Sequence, residues 1–225
     1  MISASLTVVA LLIGAAPPAP MSAPLQSYIT AREAEFGQIT AERRQQLGPL
    51  TNYIRKQSKA GQPVRLTFIC THNSRRSHLS QVWAQTAAAR YGMANVESFS
   101  GGTEATAFNP RAVAALRRAG FEIADQIETG NPKYEVKWRS EAAPMVCFSK
   151  KYDQAPNPKS DFAAVMTCTQ ADKACPVVAG AAVRISLPYE DPKAFDNTPE
   201  EPRMYDERTA QIARELLYAF AQAAK

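Results

Sequence analysis

The chain has 225 residues, 45% of them hydrophobic, 21% charged and 8% aromatic, which suits a folded protein with one sizeable core and residues left for an extension. The net charge is +5, but the basic residues are scattered in pairs such as Arg43-Arg44, Arg75-Arg76, Arg117-Arg118 and Lys150-Lys151. That scatter excludes a nucleic-acid-binding arm, and four cysteines (Cys70, Cys147, Cys168 and Cys175) are too few for a disulfide-built mini-fold.

Residues 6–13 form an apolar run followed by Gly14-Ala15-Ala16-Pro17-Pro18-Ala19-Pro20. The run is too short to span a membrane, so no stable membrane insertion is expected. As an export signal it lacks Lys or Arg ahead of the apolar run, and prolines crowd the cleavage positions. Residues 1–20 are therefore read as a signal-like segment or a mis-assigned gene start ahead of Met21. The thiol chemistry argued below favours the second and a cytoplasmic protein, with export as the alternative.

Residues 21–62 read as a helical extension. Leu25, Tyr28 and Ile29, then Leu47, Leu50, Tyr53 and Ile54, recur at helical spacing; Thr40 marks a helix start and Gly61-Gln62-Pro63 a stop. A catalytic domain then spans residues 63–225. Val64-Arg65-Leu66-Thr67-Phe68-Ile69 is a strand ending at Cys70. Residues 77–91 form a helix with Leu79, Val82, Trp83 and Thr86 on one face, and 96–100 a second strand. Asn109-Pro110 caps a helix that Gly120 ends. Residues 145–148, 162–167 and 183–187 are further strands, 130–160 an irregular insertion, and 204–223 a closing amphipathic helix. Strands alternating with helices predict an α/β fold with a mostly parallel four-stranded sheet, and ligands in such folds sit beyond the carboxyl ends of the strands.

Cys70 occupies such an end. The loop Cys70-Thr71-His72-Asn73-Ser74-Arg75-Arg76-Ser77 joins strand to helix, so its backbone N–H groups and the helix N-terminus can surround a tetrahedral oxyanion. The cradle is assigned to Thr71, His72, Asn73, Ser74, Arg75, Arg76 and Ser77, with Arg76 making a two-pronged contact. The same field favours a Cys70 thiolate, Ser77 can donate to its sulfur, and Asn73 tolerates left-handed backbone angles. His72 and His78 are read as polar loop and helix-surface residues. Cys168 and Cys175 lie too far apart in sequence for a zinc knuckle, so no metal and no cofactor is expected.

Cys168 also ends a strand. If the polar segment between it and Cys175 unwinds, their sulfurs can meet, which allows a relay: Cys70 attacks, Cys168 resolves and Cys175 carries the oxidation outward. Asp191-Pro192, beyond the strand ending at Leu187, supplies a general acid, with Glu190 in reserve.

With these residues set out, the chain resembles the low-molecular-weight protein tyrosine phosphatase superfamily, and within it the thioredoxin-coupled arsenate reductases. The loop from Cys70 to Ser77, the stretches 98–104 and 109–113, the Cys168-to-Pro176 segment and Asp191-Pro192 carry the resemblance. It implies that Cys70 attacks arsenate with Asp191 as acid, that Cys168 releases arsenite as a Cys70–Cys168 disulfide forms, and that Cys175 passes the disulfide to thioredoxin. His72 departs from the usual glycine and Arg75 from a second cysteine often found in the reductases. Two alternatives remain: a phosphatase acting on phosphate monoesters through a Cys70 phosphoenzyme, although Lys193 follows Asp-Pro where phosphatases carry an aromatic residue, or a non-catalytic oxyanion-binding or thiol-sensor protein.

Overall fold

The computed structural model describes residues 20–139, 143–175 and 177–225. Of the segment 1–20, read as signal-like or a mis-assigned gene start, residues 1–19 lie outside the described residues, as does Pro176 of the cysteine-proline pair.

Two helices come first, α1 (Ala23–Ala34) and α2 (Ala41–Lys59), joined by a 3-10 turn. Thr40 caps α2 as its sequence position suggested, its hydroxyl accepting from the Arg43 N–H. The chain then alternates through β1 (Val64–Cys70), α3 (Arg76–Arg90), β2 (Val96–Gly102) and α4 (Pro110–Arg118). Asn109 caps α4 by accepting from the Arg111 N–H. Three short strands follow, β3 (Glu122–Ile123), β4 (Tyr134–Lys137) and β5 (Met145–Cys147), then β6 (Phe162–Met166), α5 (Thr169–Ala174), β7 (Ala181–Ser186) and α6 (Glu201–Ala223).

β1, β2, β6 and β7 form one parallel sheet in the order β2-β1-β6-β7. β1 and β6 are buried almost throughout, as strands covered on both faces must be, which is why β6 reads as a continuous apolar run and β1 as a largely apolar one broken by Arg65 and Thr67. The stretch expected to be an irregular insertion contributes β4 and β5 to a second, antiparallel sheet, β3-β4-β5. β5 is the strand expected at 145–148, while β3 and β4, of two and four residues, are too short to be read from the sequence although β4 alternates buried and exposed. One apolar cluster runs from Leu25, Leu47, Leu50 and Ile54 of the first two helices through Leu66 and Phe68 of β1 to Leu216 and Phe220 of α6. Among the described residues, no helix is long and apolar enough to cross a membrane.

The parallel register positions the site. β1, β6 and β7 are neighbours, and Ile69 pairs with Met166, which pairs with Ser186. The segments holding Cys70, Cys168 and Asp191 therefore leave the sheet from the same carboxyl edge.

Candidate active site

The loop from Cys70 to Ser77 is shaped by where its carbonyls go. The Cys70 carbonyl accepts from the Thr103 N–H at 3.2 Å and that of Thr71 from the Glu104 N–H at 2.8 Å. The His72 carbonyl accepts from the Ser149 and Thr106 hydroxyls, and that of Ser74 from the Asn109 N–H. With the carbonyls turned outward, the amides face the other way. Among the described residues, no acceptor takes the N–H groups of residues 72–75. They lie at the N-terminus of α3, whose aligned peptide dipoles add positive potential. Gly102 makes room for this wrap, since a Cβ there would stand 2.7 Å from both the Asn73 nitrogen and the Thr71 oxygen.

Asn73 holds the turn with φ +44°, a left-handed angle that asparagine tolerates. Its side-chain oxygen accepts from the Lys150 N–H at 2.9 Å, and its amide donates to the Ser77 hydroxyl oxygen at 2.9 Å. Ser77 Oγ in turn lies 3.1 Å from Cys70 Sγ. With Asn73 donating to that oxygen, the Ser77 hydroxyl proton is free to be donated to the sulfur. Cys70 itself is almost fully buried.

Arg76 opens α3, and its guanidinium donates to the Tyr189 carbonyl at 3.0 Å and to Asp191 Oδ2 at 2.7 Å. Asp191 also caps a 3-10 turn over Pro192–Phe195 by accepting from the Lys193 N–H at 3.1 Å. His72, Arg76, Thr169, Gln170, Glu190, Asp191 and Lys193 are among the residues lining an open cleft of about 670 Å³ beside the loop.

Cys168 is buried against the same loop, its sulfur 3.5 Å from Thr71 Oγ1, and it shares an apolar cluster with Cys70, Ile69 and Met166. It caps α5, the sulfur accepting from the Ala171 N–H at 3.3 Å. Cys175 sits at the other end of α5, half-buried, and all four cysteines are free thiols. Burial pushes the Cys175 thiol up; the Arg184 charge pulls it back.

Arg75 differs from the other cradle residues. Its side chain turns away from the loop to donate to the Tyr205 hydroxyl at 2.6 Å and Asp196 at 2.9 Å, so only its N–H faces the cradle. His78 is corrected outright: instead of a helix-surface residue it is fully buried, stacked 4.0 Å from the Phe108 ring. Burial, helped by the Lys150 charge, lowers its pKa to about 3, so it is neutral near pH 7. Cys147, expected to be a buried strand cysteine, is one, with its thiol pushed up to about 12 by burial. Asp196 and Tyr205 carried no sequence signal, because their partner Arg75 is more than a hundred residues away.

Residues 65–134 match the family model described as low molecular weight phosphotyrosine protein phosphatase. An arsenate reductase of Brevibacillus brevis is 30% identical over 147 residues, 65% of this chain and 90% of its own. An arsenate reductase of Halalkalibacterium halodurans is 26% identical, covering 70% of this chain and 95% of its own. A low molecular weight phosphotyrosine phosphatase of Vibrio cholerae superposes with a TM-score of 0.46 at 15% identity, over 70% of this chain and 94% of its own. The chain is therefore an enzyme belonging to the family of low molecular weight phosphotyrosine protein phosphatases and arsenate reductases.

Proposed function

We propose that this enzyme reduces arsenate to arsenite through Cys70, Cys168 and Cys175. The observation that carries the reading is Cys168, which packs against the nucleophile loop and is joined to a more exposed Cys175 by one short helix. A phosphomonoesterase has no use for that pair.

Arsenate binds to the N–H groups of residues 71–77. Its charge competes with Asp191 for the Arg76 guanidinium, so Arg76 turns to the oxyanion and Asp191 is released to carry a proton. The Cys70 thiolate forms an S–As bond while an arsenate oxygen leaves as water, with its proton from Asp191. The Cys168 thiolate then attacks Cys70 Sγ. An S–S bond forms, the S–As bond breaks, and its electron pair stays on arsenic, which departs as arsenite. Cys175 next attacks Cys168 and frees Cys70 as a thiolate. Six helical residues separate the two cysteines, so their Cα atoms stand about 10 Å apart at 1.5 Å per residue, beyond the ~7 Å a disulfide bridges. α5 must therefore unwind for this exchange. A dithiol reductant such as thioredoxin reduces the Cys168–Cys175 disulfide, which suits a reducing compartment such as the cytoplasm.

A second reading is supported by Cys70, Arg76 and Asp191 alone, which suffice for hydrolysis of a phosphate monoester through a Cys70 phosphoenzyme. The deciding experiment follows arsenate-dependent NADPH oxidation with thioredoxin and thioredoxin reductase, beside aryl-phosphate hydrolysis. Steady oxidation requiring all three thiols is expected. Ester hydrolysis without NADPH oxidation would make the enzyme a phosphatase and the reductase reading wrong.

A further inference from the structure

We infer that Arg43, on α2, is a positioning residue for the Asp191 segment. The inference rests on the roles proposed above for Asp191 and Arg76. Arg43 comes from the N-terminal helices, which hold none of the proposed reacting groups, yet its guanidinium reaches the base of the acid-bearing loop. One edge donates to Glu215 Oε2 at 3.0 Å and Nη2 donates to the Pro188 carbonyl at 3.1 Å. The guanidinium carbon also lies 4.8 Å from the centre of the Tyr189 ring. Arg43 is 15% exposed and Glu215 only 3%, so the pair is largely withdrawn from water. Such a pair holds its geometry because any displacement strands a buried charge. The planar fork of arginine fixes both contacts at once.

What Arg43 grips is the carbonyl one residue before the one that holds Arg76, and three residues before Asp191. The Tyr189 carbonyl accepts from Arg76 Nη1, and Asp191, two residues on, accepts from Arg76 Nη2. On the sheet side, the Leu187 and Tyr189 N–H groups donate to the Met166 and Thr167 carbonyls. β6 therefore holds the start of the loop by its amides, and Arg43 holds it by a carbonyl. The far end is tied separately, by Asp196 to Arg75 and Tyr205. The first of these outside ties comes from α2, which gives the N-terminal helices a part in catalysis: they keep the acid in register with the oxyanion.

The test exploits the fact that a general acid matters only for a leaving group that needs a proton. The double variant Arg43→Gln/Glu215→Gln removes both charges together, so that no buried carboxylate is stranded, and Glu215→Gln alone is the control that keeps Arg43. Phenyl phosphate, a poor leaving group, is compared with 2,4-dinitrophenyl phosphate, a good one. The double variant should lose about tenfold in kcat/KM, which reports the step that expels the leaving group, on the first and less than about twofold on the second, as a displaced acid would. Glu215→Gln alone keeps the Arg43 contact to the Pro188 carbonyl but strips the guanidinium of its carboxylate, so its ratio should fall between those of the unaltered enzyme and the double variant. Equal losses on both esters, or none on either, overturn the inference. Asp191→Asn sets the scale. If it does not discriminate between the esters, the acid assignment itself falls; if it does and the double variant does not, only the role of Arg43 falls. Where ester turnover is too slow to follow, the rate of thiol loss on adding arsenate in a single turnover replaces it. The double variant must then lie between Asp191→Asn and the unaltered enzyme, and equality with the latter overturns the inference.

Discussion

The loop of residues 70–77 and the helix α5 lie side by side at the carboxyl edge of one sheet, but they are secured in opposite ways. The loop is fixed through its own backbone: four carbonyls are taken by the segments around it, and Asn73 ties its turn to Lys150 and Ser77. α5 has six residues, too few to persist unaided, and its outer end is stapled by side chains from β7. Arg184 donates to the Cys175 carbonyl and pairs with Asp172, whose other oxygen accepts from Ser186. Bonds to a buried backbone are expensive to break, whereas a half-exposed ion pair contributes only about 0–1 kcal/mol. The loop is tied by several neighbouring segments, whereas the outer end of α5 depends largely on one side chain, Arg184, for both its ion pair and its backbone contact, and α5 is the part that unwinds in the proposed relay.

The sharpest way to break this comparison is to remove the thiols one at a time. Cys70→Ser should abolish both arsenate reduction and aryl-phosphate hydrolysis. Cys168→Ser or Cys175→Ser should stop repeated arsenate turnover and leave ester hydrolysis within about twofold, because the loop does not depend on α5 for its shape. A parallel collapse of both activities in the α5 variants would mean that the two regions form one structural unit.

The rigid half has one built-in weakness, on the first turn of α3 behind the loop. The folded-state pKa of His78 is lowered to about 3, so at pH values between that and about 6.5 the unfolded chain binds a proton that the folded chain refuses. Stability from this residue is complete above pH 6.5 and falls as the pH drops towards 3, at about 1.4 kcal/mol per pH unit. His78→Phe, which keeps an aromatic ring against Phe108, should shrink the stability difference between pH 7 and pH 4 by about 3 kcal/mol in denaturant titrations run at both. An unchanged acid slope would show that other groups govern it.

Legibility in the sequence follows the same divide. The strand, loop and α3 could be read because their determinants are contiguous: an apolar run, eight loop residues, then a helical pattern. The parallel sheet followed from alternating elements though its strand order did not, and Cys168 and Asp191 could be placed at its carboxyl edge because each comes after a strand. What stayed hidden was joined across the fold. Arg75 meets Asp196, and Arg43 meets Pro188 and Glu215, at separations where spacing carries no information. His78 looked like a surface residue because a polar side chain beside a motif gives no sign that Phe108 will cover it. Of the antiparallel strands, β5 was legible as the apolar run at 145–148, whereas β3 and β4, of two and four residues, are too short to stand out.

Asn73 tests how much of the loop's rigidity comes from one side chain. Asn73→Gly keeps access to φ +44° and loses the contacts to Lys150 and Ser77, whereas Asn73→Ala loses the contacts and is strained as well. Each should cost about 1–3 kcal/mol in stability, alanine the more, with both activities falling about tenfold as Ser77 loses its orientation towards Cys70. Thermal melts and paired assays measure this. A fall in arsenate reduction alone would contradict the assignment of Asn73 to a step the two reactions share.

The smallest effect belongs to the staple. Asp172→Asn removes the ion pair with Arg184 and one acceptor for Ser186 but leaves the Arg184 charge beside Cys175, where it opposes the burial that raises that thiol. Loosening α5 without changing the thiol's charged neighbour should raise hydrogen exchange across residues 169–174 by no more than about fivefold, the size expected from a half-exposed pair. Arsenate turnover should rise or hold, since unwinding precedes the Cys168–Cys175 exchange, and ester hydrolysis should not move. Removing Arg184 itself would confound the two effects, because the same side chain both restrains the helix and favours the Cys175 thiolate. Faster exchange with slower arsenate turnover would mean that α5 must stay wound for Cys168 to reach Cys70, which would make the folded helix, rather than its release, the state that limits reduction.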